Sequence, residues 1–147
     1  MNASIAFAST LTASIRRTIE HLVLAEMRML SGRFDEALAG YDTHLAGAET
    51  GGKLAEVTVA TADRARCLLH LGRDAEAAAE IARALDRLDS ATPAEVRAIV
   101  HDNAAEIALA SGRARDARQH AQLAQIAWAA SAHEQREASR LLHDGTT

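Results

Sequence analysis

The sequence predicts an all-α protein, and three observations carry that prediction. Alanine, the strongest helix former, supplies 35 of the 147 residues. Aromatic residues make up 3% and proline occurs once, which is poor material for strands that favour aromatic and β-branched side chains. The third observation is a repeat. The only Gly-Arg dipeptides are Gly32-Arg33, Gly72-Arg73 and Gly112-Arg113, spaced forty residues apart both times.

Positions forty apart form columns, and several agree in chemistry. Ala25, Ala65 and Ala105 share a column, as do Ala37, Ala77 and Ala117. Glu36, Glu76 and Asp116 form an acidic column, while Met29, Leu69 and Leu109 form an apolar one. The Leu45 and Leu85 column breaks at Gln125. The pattern predicts one domain over 1–147, with repeats at about 13–50, 53–90 and 93–130 and a terminal helix over 132–143.

Each unit reads as two helices around a glycine turn. In the first, Ile15, Ile19, Leu22, Val23, Met27 and Leu30 follow the three-to-four spacing of a helix face. Gly32 then closes that helix, because glycine takes the left-handed conformation without a Cβ clash. Phe34, Leu38, Tyr41 and Leu45 mark the second helix. Gly51-Gly52 punctuates the next joint, after which Leu54–Leu71 and Asp74–Leu88 repeat the plan. In the third unit Thr92 is expected to cap a helix with Pro93 in its first turn and Glu95 bonding back. Ala114–Ala130 completes the pair. Ser131 with Glu134 repeats the capping pattern and predicts a separate final helix whose polar face shields the last repeat.

These residues resemble the tetratricopeptide repeats. That family places a small residue midway along the first helix, glycine at the turn and an acidic-Ala pair entering the second helix. Here those are Ala25, Gly32 and Glu36-Ala37; Ala65, Gly72 and Glu76-Ala77; and Ala105, Gly112 and Asp116-Ala117. The large residue expected four positions after the second-helix alanine is Tyr41, then Ile81, then Ala121. The period of forty departs from the usual thirty-four. His21, Thr61 and His101 replace the aromatic expected early in each first helix. The longer unit looks like the helical-repeat sensor regions of bacterial transcription activators. The resemblance implies a right-handed superhelical stack whose first helices line a concave, ligand-binding face.

Charge and composition exclude several functions. Sixteen basic and twenty acidic residues leave a net charge of −4, with no basic run to track nucleic acid. Arginine outnumbers lysine fifteen to one, which reads as a GC-rich genome. No apolar run reaches the roughly 20 residues of a membrane span. The N-terminal stretch lacks the basic start of a secretory signal, and the lone Cys67 has no intramolecular disulfide partner. A cytoplasmic protein is the expectation.

No catalytic constellation emerges. His21, His44, His70, His101, His120, His133 and His143 include no HExxH and no pair four apart. No glycine-rich phosphate loop is present, and Cys67 reads as a small core residue. The expectation is a non-enzyme without metal or cofactor that binds a protein or peptide, as an adaptor or scaffold. The alternative is a sensing domain that takes a small molecule or peptide beside a bacterial transcription or signalling protein.

The column alignment nominates a groove. Its residues are Ile19, Leu22, Glu26 and Met29; Val59, Ala62, Arg66 and His70; and Ile99, Asp102, Glu106 and Leu109. Glu26, Arg66 and Glu106 share one column, so Arg66 is expected between two carboxylates. Trp128 is expected to pack near Leu141 and Leu142. Ile5, Phe7, Leu11 and Ile15 continue a helical apolar line ahead of the first repeat, and are expected either to cap the first unit or to form a homodimer interface.

Overall fold

The structure is a computed structural model and describes residues 20–48 and 54–145. Among these, every regular element is a helix. Helical residues 20–30 are α1, followed by α2 (Phe34–Ala48), α3 (Leu54–His70), α4 (Asp74–Asp86), α5 (Ala94–Ala110) and α6 (Ala114–Asp144). No described helix is long and apolar enough to cross a membrane.

The Gly-Arg dipeptides build three equivalent turns. Gly32, Gly72 and Gly112 have φ of 77°, 75° and 75°, the left-handed region that favours glycine. At each turn the glycine N–H bonds three residues back, to Met29, Leu69 or Leu109. The arginine N–H reaches five back, to the carbonyl of Arg28, Leu68 or Ala108. This is the Schellman arrangement, which satisfies carbonyls that a helix end leaves free. The same arginine carbonyl then accepts the first bond of the next helix, from Ala37, Ala77 or Ala117. Its guanidinium pairs with the acidic residue three positions on: Arg33 with Glu36, Arg73 with Glu76 and Arg113 with Asp116. The acidic column is thus explained. These pairs are exposed, so solvent and salt screen them and they contribute little to stability.

Packing follows the helix pairs. α3 lies against α2, α4 and α5, while α5 lies against α3, α4 and α6. Small residues permit the close approach. Ala37 and Ala77 are fully buried, and a Cβ on Gly40 would stand 3.0 Å from the Ala25 Cβ where α2 crosses α1. Tyr41, Leu68, Val100 and Ile107 supply the largest buried side chains. Ala25 and Ala65 are buried, whereas Ala105 is half-exposed on the last first helix.

Three expectations need correction. Ser131 does not begin a new helix: α6 runs unbroken for 31 residues to Asp144. The stretch contains no glycine or proline before Gly145, so nothing interrupts its hydrogen-bond ladder. Ser131 instead continues the buried line of Ala117, Ala124 and Ala127. Second, Thr92 does not cap α5. Its hydroxyl accepts from the Asp89 N–H at 2.9 Å within the joint, and Pro93 occupies the cap position, its carbonyl taking the Arg97 N–H. Third, the apolar helix face expected before Gly32 is not packed over its whole length, since Val23, Met27 and Leu30 lie exposed.

Candidate binding groove

The first helices α1, α3 and α5 each leave one face open. On α3 that face carries Val59, Arg66 and His70, which fall close together on a 100° helical wheel. On α5 it carries Ile99, Asp102, Glu106 and Leu109, with Leu109 well exposed. Glu26 is exposed on α1 and Leu22 half-buried. Two nominated residues are core instead: Met29 is 6% exposed and Ala62 fully buried. Ala62 belongs to the middle first helix, enclosed by neighbours, while its column partner Asp102 sits on the last one and stays open. Ile19, and the residues expected to cap the first unit or form a dimer interface, Ile5, Phe7, Leu11 and Ile15, lie outside the described residues.

The charged column forms by half. Arg66 Nε lies 3.0 Å from Glu106 Oε2, as an ion pair without hydrogen-bond alignment. His70 Nε2 lies 2.7 Å from the other oxygen, Glu106 Oε1. Glu26 joins no ion pair among the described residues, so the ladder links α3 to α5 and does not extend to α1. Beside it, the His70 ring stacks on Phe34 with centroids 4.3 Å apart and planes 3° from parallel. Phe34 opens α2, His70 closes α3 and Glu106 lies in α5, so one half-exposed cluster joins three helices.

Beneath the open face lies a buried cluster that the sequence reading missed. Asp63 is 8% exposed and accepts hydrogen bonds from Tyr41 Oη at 3.3 Å and Asn103 Nδ2 at 2.9 Å. Burial pushes the Asp63 carboxyl up to about 6, while the two hydrogen bonds pull the other way. Tyr41 is shifted upward for the same reason, burial first and the Asp63 charge second. Cys67 beside them is pushed up to about 12 by burial, which leaves a protonated thiol rather than a nucleophile. Asp63 and Asn103 occupy one column, and that was the available signal.

A second missed contact joins α5 to α6. His101 Nδ1 and His120 Nδ1 approach to 3.0 Å, and burial lowers both imidazoles below their ordinary range. No sequence spacing announces a pair nineteen residues apart. Trp128 does not meet Leu141 or Leu142, since all three lie on one continuous helix more than three turns apart; its Nε1 donates to Asp102 Oδ2 at 2.7 Å, tying α6 to the open face. No group of three metal-ligating side chains converges among the described residues. Comparison with protein-family models, with curated proteins and with solved structures finds no match in any of the three.

Proposed function

We propose that this chain is a non-catalytic binding module of the tetratricopeptide kind, a right-handed superhelical stack of three helix pairs. It offers the open face of its first helices to a protein or peptide. The observation that carries this reading is the Arg66–Glu106–His70 cluster, which sets paired charges beside exposed Leu109 and half-buried Val59 and Ile99. An apolar strip interrupted by a few fixed charges suits an extended or helical peptide, whose register the charges select. The three turns with the same hydrogen bonds and the packing of α5 on both α3 and α4 support the stacked reading. The test is capture of partners from the native host, followed by hydrogen-exchange mapping of the complex. Protection over 59–70 and 99–109 supports the reading, and protection confined to α6 overturns it.

The reading extends to a homodimer through the N-terminal end, in the cytoplasm. Val23 and Met27 on α1 are 48% and 60% exposed, whereas their column partners Asp63 and Asn103, and Cys67 and Ile107, are all buried by a preceding helix. With Leu24 and Leu30 they form an apolar stripe at the place where the preceding pair packs elsewhere. Light scattering at micromolar concentration is expected to give about twice the 15.6 kDa chain mass, and a monomer contradicts this extension.

A further inference from the structure

On the opposite side of α3 from Arg66 and His70 lies a cleft that the groove does not use. Each of three helices contributes one face to it. α2 presents Asp42, Leu45 and Ala46, at spacings of three and four; α3 presents Val57, Thr61 and Arg64; and α4 presents Glu80 and Arg83, with Arg87 one turn further on. The opening holds about 460 Å³, within the range of small-molecule sites.

Three guanidinium groups here face two carboxylates, in a chain that is negative overall. Two of the three are committed. Arg64 bridges Asp42 Oδ1 at 2.6 Å and Glu80 Oε2 at 3.3 Å, and Arg83 takes Glu80 Oε1 at 2.7 Å. Both oxygens of the buried Glu80 are therefore neutralised from within the cleft. Arg87 is different. It donates through Nη1 to the Thr61 hydroxyl at 2.8 Å, and it has no ion pair with a carboxylate among the described residues. Thr61 in turn spends its own proton on the Val57 carbonyl at 2.7 Å, so its oxygen serves Arg87 only as an acceptor. A neutral hydroxyl leaves the charge and most of the N–H fork of Arg87 unanswered. Leu45, Ala46 and Val57 supply the apolar part of the lining.

We propose that this cleft binds a small carboxylate with a short apolar chain. The carboxylate sits on the Arg87 fork, and the chain lies against Leu45, Ala46 and Val57. Arg64 and Glu80 hold the floor in place, and Arg83 at the rim adds positive potential. The site is independent of the groove, so either reading stands if the other fails.

The test is titration calorimetry on the whole chain at constant ionic strength, with hexanoate, acetate, inorganic phosphate and hexylammonium as probes. Hexanoate is expected to bind at least tenfold tighter than acetate or phosphate, and hexylammonium not at all. Arg87→Gln is expected to weaken hexanoate at least tenfold, while Arg115→Gln, on α6 and outside the cleft, leaves it unchanged. Should Arg87→Gln unfold the chain, Ala46→Asp replaces it, because an anion at this exposed wall position is expected to expel hexanoate. Hexanoate that binds no tighter than acetate overturns the proposal. So does equal binding of phosphate, or retention of hexanoate in both Arg87→Gln and Ala46→Asp.

Discussion

Asn103 donates its side-chain N–H to Asp63 across 2.9 Å, and the two residues stand one repeat period apart. The same column that aligns the repeats in sequence thus makes a buried polar contact between them in space. A carboxylate in that position is a burden as well as a link. Its desolvation is only partly offset by the Tyr41 and Asn103 donors.

The first prediction concerns this carboxylate. Asp63 is raised from 3.8 to about 6 on folding, so the folded chain binds its proton more tightly than the unfolded chain does. The stability it contributes is full below about pH 4 and is lost as pH rises through 6. The shift corresponds to a loss on the order of 3 kcal/mol. Asp63→Asn keeps an acceptor and removes the charge. Urea unfolding at pH 4 to 7 should show the variant losing less stability than wild type over that rise. Parallel curves would mean that the carboxyl is not desolvated.

The imidazole pair predicts the opposite slope. His101 and His120 are lowered from 6.5, first by burial, with the His120 charge and then Arg97 adding to the effect on His101 and Arg113 adding to that on His120. Asp102 and Asp116 oppose it. The stability these rings provide is present above about pH 6.5 and falls as pH drops below it. His101→Gln/His120→Gln should flatten the acid side of the Tm profile between pH 6.5 and 5. A profile unchanged by the double substitution contradicts the contact.

Glycine substitutions separate conformation from space. Nothing stands within 4 Å of a Cβ added at Gly72, yet its φ is +75°, so Gly72→Ala should cost about 1 kcal/mol through backbone strain alone. Gly47 lies inside α2 with the same open space, and Gly47→Ala should stabilise by about 0.5 kcal/mol. Denaturant midpoints that move the same way for both would contradict the turn geometry.

The alanine columns test the packing. Ala65 and Ala77 are fully buried between helices, so Ala65→Leu and Ala77→Leu should each cost about 1–3 kcal/mol by overpacking. Thermal unfolding reads this directly, and an unchanged Tm would show that the helices are not in close contact.

How much of this was legible in the sequence depends on the residue type that carries the signal. The Gly-Arg turns were legible because a left-handed residue and a helix-starting pair demand particular chemistry at fixed offsets. The C-terminal ends of α3 and α5 were legible for the same reason. The continuity of α6 was not, because Ser131 and Glu134 spell a cap as readily as a helix interior, and only packing on α5 decides between them. The groove columns placed Arg66, Glu106 and His70 together but misplaced Ala62 and Met29. A column fixes the direction of a side chain, while its burial depends on how many helices flank it. The Arg87 cleft and the His101–His120 contact join residues with no shared period, so only the folded arrangement brings them to view.

The central claim, that the open face of the first helices reads a partner through its charges, is tested most directly by exchanging Arg66 and Glu106. Either single reversal, Arg66→Glu or Glu106→Arg, breaks the pair and should lower both Tm and affinity for the captured partner. The double variant restores an ion pair with reversed polarity. The account predicts that Tm returns to the wild-type value while affinity stays at least tenfold weaker. Affinity that returns together with Tm would show that the pair only fastens α3 to α5, and would contradict the claim.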